Sequence, residues 1–116
     1  MGVNPLVNTD LFNVMFRKQL KMDFFTEKLA ADKVLTVEYP PVIILDPDTS
    51  TRDVDLPAEA LSEGLVFFIF NDGAGSEVLV VKDDGGTTIT TIQFPENAML
   101  HCDGVKWRGI LSKGTD

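Results

Sequence analysis

Leu65-Val66-Phe67-Phe68-Ile69-Phe70 is an apolar run with no polar interruption, and three more runs follow it: Val78-Leu79-Val80-Val81, Thr87-Thr88-Ile89-Thr90-Thr91-Ile92 and Ala98-Met99-Leu100-His101. Short apolar runs rich in β-branched residues and bounded by turn formers read as strands. The punctuation is Asn71-Asp72-Gly73-Ala74-Gly75-Ser76, Asp83-Asp84-Gly85-Gly86, Pro95-Glu96-Asn97 and Asp103-Gly104. Asp-Gly pairs between β-branched runs are hairpin signals. Having no polar residue, Leu65–Phe70 is expected to be the central strand, covered on both faces. Phe68 and Trp107 are expected to seal the core.

Working upstream, Val42-Ile43-Ile44-Leu45 is a second continuous apolar run, between Pro40-Pro41 and Asp46-Pro47-Asp48. Arg52-Asp53-Val54-Asp55-Leu56 alternates charge with aliphatic side chains, which suits a half-exposed strand with Val54 and Leu56 inward. Val34 to Tyr39 also alternates and reads as an edge strand. Pro57 to Gly64 reads as a tight connection crossing between sheets, with one helical turn as the alternative. Seven or eight short strands with regular turn signals predict a mainly β chain, an antiparallel β-sandwich or jelly-roll-like barrel. The expected layout is an N-terminal arm over 1–33, a β domain over 34–112 and a tail over 113–116.

The chain has 116 residues, 44% hydrophobic and 24% charged, which is enough for one core without staples. No stretch approaches the length of a membrane-spanning helix, so no membrane partner is expected. The opening residues lack the basic and apolar pattern of a signal peptide. A lone cysteine, Cys102, makes no intramolecular disulfide, which suits synthesis in a reducing cytoplasm. Net charge is −8, split as +1 over residues 1–33 and −9 over 34–116. An acidic body repels phosphate backbones, so nucleic acid is not an expected partner.

The N-terminal segment is different in kind. After Asn8-Thr9-Asp10, which offers helix-capping residues, come Leu11, Phe12, Val14, Met15, Phe16, Leu20, Met22, Phe24, Phe25 and Leu29. At helical spacing these residues form two adjoining apolar stripes. Such a surface belongs either to a helix packed on its own domain or to an arm buried against a neighbouring subunit. The concentration of Phe ahead of a self-sufficient β body favours the arm, since apolar surface left in water marks an interaction site. Leu11, Phe12, Met15, Phe16, Leu20, Phe24 and Phe25 are its expected contact residues.

Few residues invite a chemical reading. His101-Cys102-Asp103 contains a nucleophile beside a base, but adjacent strand residues point to opposite faces. One His and one Cys cannot close a zinc site within one chain. Asp46, Asp48, Asp53 and Asp55 have the two-residue spacing of calcium loops without the central Gly and closing Glu. No catalytic residues, metal or cofactor are therefore expected. Trp107 either stacks on a sugar or caps the core.

Several stretches together resemble a recurring segment of tailed-bacteriophage virion proteins. They are Leu56-Pro57-Ala58-Glu59, Gly64 to Asn71, Val80-Val81-Lys82-Asp83-Asp84-Gly85-Gly86 and Cys102-Asp103-Gly104-Val105-Lys106-Trp107-Arg108, within residues 42–110. The resemblance is to small capsid decoration (cement) proteins, and also to modules of phage fibres and spikes. It implies a non-enzymatic protein made in the host cytoplasm and placed on the outer capsid surface. Its partners would be the major capsid protein and two further copies of itself in a homotrimer that clamps neighbouring capsid subunits. A fibre, spike or carbohydrate-recognition module is the alternative.

Overall fold

The computed structural model describes residues 20–114. Nine strands follow in order: β1 (Phe24–Lys28), β2 (Lys33–Val34), β3 (Val42–Asp46), β4 (Arg52–Asp55), β5 (Val66–Asn71), β6 (Val78–Lys82), β7 (Thr88–Gln93), β8 (Asn97–Cys102) and β9 (Trp107–Ser112). A single 3₁₀ turn, Glu59–Leu61, lies between β4 and β5. The strands form a five-stranded sheet in the order β1-β3-β5-β8-β9 and a four-stranded sheet in the order β2-β4-β6-β7. β5 is the middle strand of the larger sheet, as expected from its uninterrupted run.

The antiparallel expectation is corrected. β1, β3 and β5 pair in parallel, as do β2, β4 and β6, and only β6–β7, β5–β8 and β8–β9 are antiparallel. The first six strands alternate between the two sheets, so each connection crosses over rather than folding back. Parallel partners need a long crossover. Here the crossover is a strand of the other sheet. Both sheets are mixed, and neither is closed into a barrel.

One core serves both sheets. Ile43, Leu45, Phe67, Ile69, Ala98, Leu100 and Cys102 come from the larger, and Val54, Leu79, Val81 and Ile92 from the smaller. Trp107 is 1% exposed and stacks on Phe67 at 5.9 Å between ring centroids. Its indole Nε1–H donates to the Pro57 carbonyl at 2.9 Å, which satisfies the ring's polar atom in the interior. Gly109 lies beneath Leu100, whose Cδ1 is 2.9 Å from where a Cβ would stand, so a side chain here would shift the end of Leu100.

The expectation that Phe68 seals the core together with Trp107 is corrected. Strand residues alternate faces, and on β5 it is Phe67 and Ile69 that point inward. Phe68 points outward and is half-buried. Coverage of β5 on both faces fails for the same reason, since Phe70 is 38% exposed.

Two further expectations change at the N-terminal side. A helix reaching Leu29 is excluded over Phe24–Lys28, which pair with Val42–Asp46. The body also begins before residue 34, because β1, buried Leu29 and β2 all belong to it. The edge strand expected over Val34–Tyr39 shrinks to Lys33–Val34, and a turn follows in which the Tyr39 N–H donates to the Thr36 carbonyl.

The turns behave as their residues predict. Gly64, Gly86 and Gly104 take positive φ, the conformation that glycine adopts without steric cost. Asp83 Oδ1 accepts the N–H groups of Gly85 and Thr87, which fixes the β6–β7 hairpin. Asn71 is buried and fully used. Its Nδ2 donates to the Glu77 and Ile92 carbonyls, and its Oδ1 accepts the Gly73 N–H. That one side chain ties the end of β5 to the following loop and to β7.

Candidate interaction surface

The register places Phe24 beside Val42, Val42 beside Phe68, Phe68 beside Met99 and Met99 beside Ile110. All five side chains lie on the face opposite the core, since their strand neighbours Phe25, Ile43, Phe67, Ile69, Ala98 and Leu100 point to it. An apolar row therefore crosses the whole five-stranded sheet on its outward side. Phe24 is 59%, Met99 36% and Ile110 65% exposed. Ile44 and Phe70 continue the apolar surface in the next row. Beside them, Val42, Ile44, Phe70, Phe94 and Pro95 line a depression of about 390 Å³, with Asn71 and Asp72 at its margin. The fold's buried core lies on the opposite face of this sheet. A contiguous exposed apolar patch marks a binding surface.

The four-stranded sheet turns a different face outward. There Asp53 sits beside Val80 and Val80 beside Thr91, while Val34, Asp55, Lys82 and Thr88 make the next row. Lys82 Nζ lies 3.0 Å from Asp53 Oδ2. The hydrogen bond to that carboxylate raises the Lys82 pKa.

The expected contact residues are divided by the structure. Leu11, Phe12, Met15 and Phe16 lie outside the described residues. Leu20 is exposed just ahead of β1, and Phe24 opens the apolar row. Phe25 is a correction. It points to the core side, where its ring meets Tyr39 edge-on at 5.0 Å and the Lys33 ammonium lies 4.6 Å from its centroid. Burial works against the charge on Lys33, but hydrogen bonds to Glu27 and Tyr39 outweigh it and the pKa rises. Phe25 is thus held within its own domain.

The polar clusters have structural work. His101 is exposed on the outward face, and Cys102 is buried beside the Gly104 N–H at 3.4 Å, so the two face apart as strand geometry requires. Asp103 Oδ1 accepts the N–H groups of Val105 and Lys106, and Oδ2 pairs with Arg108. Arg108 first, and then those two N–H groups, hold the Asp103 carboxyl well below the usual range. Asp46 Oδ1 caps the Asp48 N–H at the end of β3, whereas Asp53 and Asp55 stand on the other sheet. Among the described residues no group of three or more His, Cys, Asp and Glu is placed to hold a metal ion. A second depression, about 380 Å³, opens between Val34, Asp55, Pro57, Asp83 and Asp84. Near it, Glu59 is lowered by its own backbone N–H but raised more by the Asp84 carboxylate and by burial, so its pKa rises. Asp83 is committed to its turn, and the rim of this depression is acidic. The sugar-stacking role for Trp107 is not available to a ring that is buried and hydrogen-bonded.

The apolar row was hidden from the sequence because its members are scattered over five strands. Only the pairing register assembles them. Comparison with family models, with curated proteins and with solved structures finds no match to this chain.

Proposed function

We propose that the chain is a non-enzymatic binding protein of the capsid-decoration type, which docks on a large protein assembly through the outward face of its five-stranded sheet. The observation that carries this reading is the apolar row Phe24, Val42, Phe68, Met99 and Ile110. Burying one such side chain fully contributes about 1.5–3 kcal/mol. Several in one patch supply the centre of a protein interface, where charge is depleted and apolar area is high. The resemblance of residues 42–110 to phage cement proteins supplies the kind of partner, the major capsid protein, and a homotrimer as the docking unit. In this reading the two sheets pack face to face as a sandwich. The fibre and glycan-recognition alternative has lost its anchoring residue with the burial of Trp107.

The test is decoration of purified capsids by the double variant Met99→Lys/Ile110→Lys. Its fold is expected to persist, because both positions point to solvent. Its occupancy at a fixed concentration is expected to fall at least about tenfold, the equivalent of 1.4 kcal/mol. Undiminished occupancy would remove the outward face from the interface.

A further inference from the structure

We propose that in the free protein the open edge of β9 pairs with β9 of a second copy, antiparallel about a two-fold axis at Ile110. Four edge strands bound the two sheets, and three of them are guarded. β2 is two residues long, the pairing of β7 with β6 is broken by a register shift at Val81/Lys82, and β1 closes on the charged residues Glu27 and Lys28. Short length, bulges and charge are the devices that keep an edge from pairing. β9 has none of them. It runs from Trp107 to Ser112 in unbroken register with β8 and holds no proline, and its one charge, Arg108, is engaged by Asp103. Every residue from Arg108 to Lys113 is exposed.

The backbone shows which groups are on offer. The Cys102 N–H donates to the Leu65 carbonyl and the Cys102 carbonyl accepts the Gly64 N–H, so Cys102 is directed at the β5 side. Direction alternates along an antiparallel strand, so His101, Met99 and Asn97 are directed at β9. Their partners Arg108, Ile110 and Ser112 therefore spend their N–H and C=O groups on β8. Gly109 and Leu111 point theirs away from the sheet, and among the described residues neither makes a backbone hydrogen bond on that side. A pair centred on Ile110 sets Gly109 opposite the partner's Leu111 and, by symmetry, Leu111 opposite the partner's Gly109. All of these outward-pointing groups are then used.

The side chains agree with that register. On the outward face Ile110, 65% exposed, falls beside the partner's Ile110 in an apolar cross-strand pair. Arg108 falls opposite the partner's Ser112, so no like charges are opposed. On the core side Leu111 shares the face of its neighbour Ala98 and is yet 40% exposed. It is set over the partner's Gly109, a residue without a side chain, where half-buried Ile89 lies 3.4 Å from the place a Cβ would take. The apolar rows of the two copies join end to end, and Ile110 ceases to be an open end.

This inference does not rest on the decoration reading. It also differs from the homotrimer that the resemblance implies, because a two-fold pair closes on itself with two copies.

Sedimentation of the full chain and of its Leu111→Pro variant tests it. The unaltered protein is expected to form a dimer. Proline removes the Leu111 N–H, which β8 does not use, and an edge strand tolerates proline where the N–H faces solvent. The variant is therefore expected to fold and to raise the dimer Kd about tenfold or more, since the ladder between copies loses a donor. A monomer at every concentration, a trimer, or a dimer that Leu111→Pro leaves intact overturns the proposal. Amide hydrogen exchange of the unaltered protein decides the matter without a variant. The Gly109 and Leu111 amides are expected to be protected about tenfold or more in the dimer. Unprotected amides at these two positions overturn the proposal.

Discussion

The two sheets share one core and differ on their outward sides. The larger shows Phe24, Val42, Phe68, Met99 and Ile110 in a single row, and the smaller shows Asp53, Asp55, Lys82, Thr88 and Thr91. Inward residues answer to the core and must be apolar on both sheets. Outward residues are free of that demand, so they report what each face meets. The smaller sheet's outward face mixes charged and hydroxyl side chains with Val34 and Val80. The larger carries an apolar row in which Phe24 and Ile110 are well exposed.

The distinction between inward and outward can be broken most forcefully on β5, where two phenylalanines are neighbours. Phe67→Ala removes the ring stacked on Trp107, and a loss of about 3–5 kcal/mol is expected in urea unfolding. Phe68→Ala, one residue along, is expected to lose about 1 kcal/mol. Equal losses would mean that the outward face is as much a core as the inward one. The next effect is on binding. Val80→Lys places on the smaller sheet the charge that Met99→Lys places on the larger, and under the decoration proposal it is expected to alter occupancy less than about twofold. A loss matching that of the other face would erase the difference between them.

Smaller effects sharpen the polar side. Asp53→Asn removes the partner of Lys82 in a half-exposed pair, and a small loss, reduced by salt, is expected in the same unfolding measurement. The smallest effect concerns Asp103, whose carboxyl is held low by Arg108 and two N–H groups. A depressed folded pKa stabilises the protein fully above the ordinary Asp value near 3.9 and is lost as pH falls below it. Asp103→Asn keeps an acceptor for the Val105 and Lys106 N–H groups. Its unfolding midpoint is expected to fall less steeply than that of the unaltered protein as pH drops below about 4.

What the sequence disclosed was mainly scaffold. The residues that carry the resemblance have local tasks in the structure. Pro57 accepts the Trp107 indole, Asn71 ties a loop to β7, and Asp83 and Asp103 close two turns. Turn chemistry acts over a few residues, so it is legible in a line of text. An uninterrupted apolar run has no phase, so it does not show that Phe67 rather than Phe68 faces the core. Around Phe24 and Phe25, apolar spacing that also suits a helix belongs to a strand, because pairing with β3 outweighs local preference. The direction of a strand's partner leaves no mark on the strand itself, so the parallel pairs could not be read. The outward row could not be read either, since it exists only after five strands are in register.

The alternation of the first six strands between sheets has a consequence for how the molecule comes apart. The chain is wound in three turns, each laid along the one before, and the third is locked by the antiparallel β7, β8 and β9. The middle turn has neighbours on both sides. The first, β1 with the two-residue β2, has a neighbour on one side only. Amide hydrogen exchange is therefore expected to be slow on β5 and β6, which have partners on both sides, and faster on the edge strands β1 and β2. β1 carries Phe24. The edge of the apolar row thus lies on the strand expected to open first.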